Sequence, residues 1–374
     1  LKDLGKFQEA ELSQRKAVEL QPDNPAAHYN LGNILKDLGN LKEAEHYYRK
    51  AIELKPDLSE AKYNLSFILL KRKKFIEGFN NFEWRVEHGS KTLIRSRLKT
   101  EKPEWTPDNK GKVLLWDEQG IGDKILFASL IPELNNLVDQ LIVQVDERLI
   151  PLFKRSFNQR IIYINKHQSI DEVNYDYHIA MGSLLKFLRE SKEDFKKSKK
   201  KYLRVNESKS TIFKEKLKDS EHKKIIGISW KSISKIDKGI KLSLERFLLG
   251  IYSPNIKFVC LQYGDVEEEI SQFRKKHAIK IEIINELDLF NDIDGLASLI
   301  AACDEVVSTE NVTVHLAGAI GIKTNLLLSQ NCQWYHGVND KKSYWYPKVN
   351  FFRQKKRNGW DVQLKEIKNE IKIN

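Results

Sequence analysis

Up to about Trp84, apolar side chains recur three and four positions apart. "AAHYNLGNILKDL" and "LKEAEHYYRKAIEL" show the spacing, which predicts amphipathic helices. From Gly111 the pattern changes. "KVLLW", "QLIVQVD", "IIYI" and "YDYHIAMGSL" read as short buried strands, with "KILFASLIPELNNL" helical between them. "DERLIPLFKRSF" reads as a crossover helix carrying Leu149, Leu152 and Phe153 on its inner face. From Lys223 a second series begins. "KIIGISW", "KFVCLQYG", "KIEII", "EVVST" and "KTNLLLS" are strand-like, while "LSLERFLLGI", "EEEISQFRKKHA", "GLASLIAAC" and "TVHLAGAIG" are helix-like. Such alternation predicts two parallel α/β sheets with crossover helices and a cleft at the carboxyl ends of their strands. A last helix is expected at about 361–373.

The helical segment repeats itself. Ala27, Tyr29, Asn30-Leu31 and Ile34-Leu35 recur thirty-four positions later as Ala61, Tyr63, Asn64-Leu65 and Ile68-Leu69. Leu1 to Gly5 matches Leu35 to Gly39, and Pro22 matches Pro56. A 34-residue period of these residue types resembles the tetratricopeptide repeat, an α-helical solenoid of antiparallel helix pairs. Gly32, Ala44 and Ala51 let each pair approach closely, and the proline between units stops one helix and starts the next. The chain opens inside a repeat, so a longer array is expected. The pattern fails after Trp84, where Arg85 stands in place of Ala51 and Ala17. The last repeat helix is expected to end near Glu87 and to dock on the first α/β unit through Phe79, Phe82 and Trp84. The concave face of such a stack is read as a surface for an acceptor protein or glycan, with homodimerisation through the repeats or a purely structural role as alternatives.

Composition narrows the partners. With 374 residues, 41% of them hydrophobic, the chain can build two or three domains with real cores. No stretch approaches an apolar transmembrane segment. Cys260, Cys303 and Cys332 are far apart and lack metal spacing, which points to reduced thiols and a cytoplasmic location. The net charge is +12, mostly from lysine. Its densest run, "KKSKKKY" at 196–202, reads as an exposed linker. It lacks the arginine and aromatic interleaving of a single-strand binding groove, so nucleic acid is not the expected partner.

Two strand-to-helix turns combine small residues with reactive groups. In "LLWDEQGIGDKILFASL" an apolar run ends at Trp116, and Gly120, Gly122 and Asp123 open the next helix. Glycines there permit positive φ or close approach of a ligand, and a helix start offers free N–H groups to an anion; a plain polar turn reads equally well. In "VVSTENVTVHLAGAIG" a strand ends at Val307, Ser308 and Thr309 are good caps, and Glu310 and Asn311 precede a helix carrying Thr313 and His315. Its first N–H groups can receive a phosphate and Glu310 can accept hydrogen bonds from ribose hydroxyls. The bland alternative is a capping motif with His315 hydrogen-bonded in the core. After "GIS" come Trp230, Lys231 and a loop with Lys235, Lys238 and Lys241, whose point charges can neutralise a diphosphate or simply face solvent. "LQYGD", Leu261 to Asp265, is another glycine turn after a strand.

These motifs, with "EGFNNFEWR" (77–85), "DIDGLASLIAACDE" and "YWYPKVNFFRQKKRNGWDVQL" (344–364), stand in the order found in bacterial tetratricopeptide-repeat proteins that end in a glycosyltransferase domain. That domain is similar to the heptosyltransferases of glycosyltransferase family 9, with two Rossmann-like domains in the arrangement called GT-B. It is more distantly similar to the O-linked N-acetylglucosamine transferases. The resemblance implies repeats over 1–90, an acceptor-side Rossmann-like domain over 91–220, a nucleotide-sugar domain over 221–358, and a helix over 359–374 that crosses back to the first domain. Asp123 matches the proposed catalytic base. Lys231 and Lys241 match cations near the donor diphosphate, Gln262 lies on the nucleotide side, and Thr309 to His315 matches the nucleotide-binding helix start. Heptosyltransferases commonly carry Asp-Thr-Gly where this chain has Glu310-Asn311-Val312.

The implied chemistry is transfer of a sugar from a nucleotide-diphosphate sugar, the co-substrate, to an acceptor hydroxyl. No cofactor or metal is expected: no Asp-x-Asp pair stands at a fitting strand end, and helix N–H groups with lysines would do the metal's task. Direct displacement would invert the anomeric carbon. The departure at Glu310-Asn311-Val312 keeps open a different class, a non-catalytic repeat scaffold with a degenerate nucleotide-binding domain.

Overall fold

The computed structural model describes residues 7–85, 98–198, 200–232, 242–356 and 359–372. Their contacts divide into two units. The first holds the repeats together with Gly182–Phe195 and Gln333–Asn339, and the second holds both α/β sheets.

In the first unit α1 (Phe7–Leu20), α2 (Pro25–Asp37), α3 (Leu41–Leu54), α4 (Ser59–Lys71) and α5 (Phe75–Phe82) pack in sequence. Pro25 occupies the first turn of α2 behind Asn24, whose side chain accepts from the Ala26 and Ala27 N–H groups. Gly32 lets α2 and α3 meet: a Cβ there would lie 2.8 Å from the Tyr48 ring. Leu31, Leu35, Ala44, Tyr48, Leu65, Ile68 and Leu69 form the shared core. The aromatic face of α5 closes on the two segments that join this unit from later in the chain. Phe75 lies 5.1 Å from Phe195, and Phe79 and Phe82 meet Trp334 edge-on at 5.6 and 6.2 Å. Trp84 is not on that face. The Lys62 ammonium sits 3.8 Å over its ring. The buried residue is its neighbour Arg85, which donates to the Phe82 carbonyl and to Ser183 Oγ. The helical turn after α5 brings Arg85 inward because α5 ends at Phe82 and tightens into a 3₁₀ turn. The expected helix end near Glu87 lies outside the described residues.

The second unit contains β1 (Lys112–Trp116), α6 (Ile121–Phe127), α7 (Ile131–Asn135), β2 (Gln140–Val145), α8 (Ile150–Ser156), β3 (Ile162–Asn165) and β4 (Tyr177–Ala180). These strands are parallel, in the order β3-β2-β1-β4. After α9 (Leu184–Leu188), which belongs to the first unit, come α10 (Glu207–Leu217), β5 (Lys224–Ser229), α11 (Leu244–Ile251), β6 (Ile256–Cys260) and α12 (Glu267–Lys276). Then follow β7 (Ile281–Glu282), α13 (Ile293–Ala302), β8 (Glu305–Thr309), α14 (Val312–Ile320), β9 (Lys323–Leu328), β10 (Val349–Arg353) and α15 (Asp361–Ile371). Their order is β10-β9-β8-β5-β6-β7, again all parallel. Each sheet starts in its middle, winds to one edge and returns to the other side of its first strand. Both are therefore Rossmann-like, and their crevices open at the carboxyl ends of β1 and β4, and of β5 and β8. The chain is a tetratricopeptide-like helical segment followed by two Rossmann-like sheets, as the sequence pattern predicts.

Two expectations about this unit need correcting. Residues from Tyr202 to Leu217 were assigned to the first sheet's domain. Instead the Tyr202 and Leu203 N–H groups donate to the Ala319 carbonyl at 3.1 and 3.2 Å, and α10 lies along α13, so they belong with the second sheet. The final helix was expected to cross back to the first sheet. It stays on the second: Trp360, Leu364, Ile367 and Ile371 share one core with Phe247, Leu248, Val307 and Leu327. Gly250 of α11 makes room for it, since a Cβ there would come within 2.8 Å of Leu364. The spacing of that apolar stripe was right, but spacing alone does not say which sheet it covers.

The two sheets are joined within their unit by direct contacts. Arg155 of α8 grips Asp294 of α13 with two bonds of 2.6 and 2.9 Å. The Trp345 indole donates to Ser129 Oγ at 3.1 Å, and Tyr202 Oη donates to the Ile125 carbonyl at 2.7 Å.

Candidate functional site

Helices α6 and α14 each begin at the carboxyl end of a central strand, one from each sheet, and they pack against each other. Gly122 permits this. A Cβ there would stand 2.8 Å from His315 Cδ2 and 3.2 Å from its Nε2. Neither Gly120 nor Gly122 has positive φ, and Gly120 caps α6 at φ −65°. The need is close approach at Gly122, not left-handed backbone, and what approaches is a histidine. Asp123 sits in the first turn of α6, with its Oδ2 3.2 Å from where a Gly120 Cβ would be. His315 is buried, and its Nδ1 lies 3.1 Å from Tyr346 Oη. The Tyr346 ring in turn presses on Gly318, where a Cβ would come within 2.4 Å.

The amino end of α14 is built by a buried network over three strand ends. Asn311 caps the helix: its Oδ1 accepts from Thr313 N at 2.9 Å, and its Nδ2 donates to Ser229 Oγ at 2.8 Å and to the Lys231 carbonyl at 3.3 Å. The Gln262 Oε1 accepts from Ser229 Oγ, Trp230 N and Lys231 N at 2.9–3.0 Å, while its Nε2 donates to the Tyr263 carbonyl. Gln262 thus fixes the loop after β5, and the Tyr263 hydroxyl accepts from Val312 N at 3.4 Å. Thr313 and Glu310 are buried beside this network. Gly264 in "LQYGD" does need its left-handed backbone, at φ 88°.

Lys231 follows the loop outward but turns to α12. Its ammonium lies 3.1 Å from Glu269 Oε2, which also accepts from the buried Trp230 indole. The other Glu269 oxygen accepts from Leu244 N at 2.9 Å. Burial alone would raise the Glu269 pKa, but the Leu244 N–H, Lys231 and Trp230 outweigh it and hold the carboxyl below its usual range. Lys235, Lys238 and Lys241 lie outside the described residues.

Across from α14, the carboxyl ends of β1 and β2 carry charge that the sequence reading missed. Lys124 and Asp117 form a buried ion pair at 2.5 Å. Burial pulls the Lys124 ammonium below the ordinary lysine range against the opposing pull of Asp117. Asp117 Oδ2 also accepts from Asp146 N, and Asp146 holds Arg148 at 2.8 and 3.0 Å and Lys166 at 2.9 Å. An acid directly after an apolar strand run was the available signal, both at Asp117 and at Asp146. Arg148 reaches on to the Phe290 carbonyl at 3.2 Å. Among the described residues no three His, Cys, Asp or Glu side chains gather as a metal-ligand set.

The helix pairs of the first unit match known repeats. A family model described as "Tetratricopeptide repeat" covers residues 25–58, and one described as "TPR repeat" covers 1–39. The N-terminal segment is a tetratricopeptide-repeat array. Over most of its length the chain is similar to Protein FlbA of Caulobacter vibrioides, at 28% identity over 328 residues, or 80% of this chain and 53% of that protein. The chain therefore spans about half the length of that curated relative. Among solved structures it is similar to the ADP-heptose lipopolysaccharide heptosyltransferase II of Escherichia coli, with 13% identity, a TM-score of 0.48, and 69% of this chain and 95% of that one covered. It is also similar to a glycosyl transferase family 9 protein of Veillonella parvula, with 10% identity, a TM-score of 0.46, and 65% and 86% covered. A mutant O-GlcNAc transferase of Thermobaculum terrenum aligns over 99% of this chain and 81% of its own, with 12% identity and a TM-score of 0.36.

Proposed function

We propose that the α/β unit transfers a sugar from a nucleotide-diphosphate sugar to an acceptor hydroxyl, and that the tetratricopeptide repeats hold the acceptor or a partner protein. The reading rests on one observation: α6, carrying Asp123, and α14, capped by Asn311, start beside each other at the carboxyl ends of two parallel sheets. In this reading Asp123 accepts the acceptor's proton as its oxygen attacks the anomeric carbon. The N–H groups at the start of α14 stabilise the departing diphosphate, joined by Lys231 and Lys241. Glu310 faces the ribose. Gly122 keeps the two helix starts close enough for donor and acceptor to meet. No step uses a metal, and attack in line inverts the anomeric centre.

A second reading has its own support. Gln262 turns its Oε1 to the end of β5 and the loop after it and its Nε2 to the Tyr263 carbonyl after β6, Lys231 is paired with Glu269, and Asn311 already caps α14. A nucleotide-binding domain that has become a scaffold would show such internal pairing. Thermal stabilisation by a panel of nucleoside diphosphates separates the two. A ligand that binds only the folded state raises the melting temperature by mass action. A rise with one nucleotide, followed by sugar release from its sugar derivative, supports the transferase; no rise with any nucleotide favours the scaffold.

A further inference from the structure

Phe290 stands in the loop between β7 and α13, at the carboxyl edge of the second sheet. Its side chain is 44% exposed, and among the described residues no other aromatic is left so open to solvent. The loop that carries it is tightly bonded. Asp288 Oδ1 accepts from Phe290 N and Asn291 N at 2.9 and 3.0 Å, and Oδ2 accepts from Asn291 Nδ2 at 2.7 Å. The first sheet braces the ring as well. Arg148, gripped by Asp146, holds its guanidinium 5.1 Å from the ring centre and donates to the Phe290 carbonyl at 3.2 Å. An apolar ring fixed in place yet left in water forgoes the stabilisation that burial would give.

Its position gives that exposure a use. Tyr263, just after β6, has its ring centre 6.4 Å from that of Phe290, and its hydroxyl accepts from Val312 N at 3.4 Å. Val312 opens α14. A single side chain therefore spans the distance from the first N–H of α14 to the exposed ring. In sheet order the start of α14 follows β8, and β5, β6 and β7 come next in line. A diphosphate at the start of α14 would leave its ribose over β5 and β6 and its base over the loop after β7. We propose that Phe290 is the platform on which the nucleobase of the donor stacks, with Arg148 fixing the ring from the opposite sheet. This rests on the transferase reading, which places the diphosphate, and adds the side chain that meets the base. Stacking on an aromatic face favours every base, because each has a π-face. The ring therefore recognises nucleoside diphosphates as a class and discriminates little among them.

Calorimetric titration of the full chain with ADP, UDP, GDP and CDP tests this, with pyrophosphate as the control that lacks a base. At least one nucleoside diphosphate should bind more tightly than pyrophosphate. Phe290→Ala should weaken that nucleotide about tenfold or more, the scale of one base–aromatic stack, and leave pyrophosphate unchanged. Phe290→Trp should keep the affinity. Phe290→Leu, apolar but without an aromatic face, should behave like the alanine variant. Arg148→Met should weaken the nucleotide less than Phe290→Ala does and again spare pyrophosphate. If nucleotides bind but neither Phe290→Ala nor Phe290→Leu weakens them, the platform is wrong while the transferase reading stands. If both substitutions weaken pyrophosphate as much as the nucleotide, the ring only shapes its loop, and the proposal fails. If no nucleotide binds the unaltered chain, the proposal and the transferase reading fall together.

Discussion

Substituting Gly122 by alanine tests the joint between the sheets. The added Cβ would meet His315 Cδ2 at 2.8 Å and Nε2 at 3.2 Å, closer than carbon atoms pack. His315 has little room to yield: it is buried, its Nδ1 is tied to Tyr346, and the Tyr346 ring rests on Gly318. Overpacking of this kind costs about 1–3 kcal/mol. Alanine's better helix propensity returns up to about 1 kcal/mol, less in the first turn. Gly122→Ala alone should therefore destabilise by about 1–2 kcal/mol. Gly120→Ala, whose Cβ would meet only the Asp123 carboxylate at 3.2 Å, should cost less. The decisive quantity is the coupling with His315. In the His315→Ala background the clash is gone, and Gly122→Ala should become neutral or stabilising, a change of at least about 1 kcal/mol. Urea denaturation of the four proteins in the cycle measures it. A coupling near zero, or equal costs at Gly120 and Gly122, would refute the contact as the reason for the glycine.

If Asp123 is the base, Asp123→Asn should leave nucleotide binding nearly intact and cut turnover by about 10²-fold or more; if Asp123 only places a negative charge in the first turn of α6, the asparagine variant should lose a little stability and keep near-normal turnover. Burial pushes the Asp146 carboxyl up, but Arg148 and Lys166 outweigh it and hold the pKa well below the usual range. Such a group adds stability above its unfolded pKa of about 4 and loses it as pH falls through the lower folded value, so Asp146→Asn should be less stable at neutral pH and lose less on acidification. An unchanged pH slope in urea titrations would contradict this. Arg85→Ala should destabilise the repeat unit by about 2–4 kcal/mol through its half-buried partner Glu83 and the buried Ser183, whereas Trp84→Ala should cost about 0.5–1 kcal/mol, the loss of its contact with Lys62. Circular dichroism melts of both variants compare the two, and the reverse ranking would restore Trp84 to the buried face.

The parts of this molecule that repeat or alternate were legible. The 34-residue period fixed the helix pairs, and runs such as "KVLLW" and "EVVST" became central strands because parallel strands are apolar on both faces. β10 escaped notice because "VNFFR" lies among lysines, arginines and aromatics without a clear turn before it. The assignment of α10 and α15 to a sheet failed for a different reason: an amphipathic stripe declares that it is covered, not by what. At the site, the sequence marked Gly122, Asn311 and His315 as special, and the structure brings the three to the meeting of α6 and α14. It did not foresee that Gln262 and Asn311 would spend their groups on backbone and on each other through Ser229, because such bonds join strands far apart in sequence. The Asp117–Lys124 pair was hidden likewise, its two charges reading as surface residues around a turn.

The segments that complete the repeat core arrive late in synthesis. Phe79 and Phe82 leave the ribosome some 250 residues before Trp334, against which they pack. Until then the α5 face has only its helical neighbours, and at about 5–20 residues per second that interval lasts on the order of ten seconds or more. Nascent chains thus display an apolar aromatic ridge throughout that interval. A ribosome stalled before Gln333 would leave a product with that ridge exposed, and such a truncated chain is expected to aggregate more readily than one that includes Trp334.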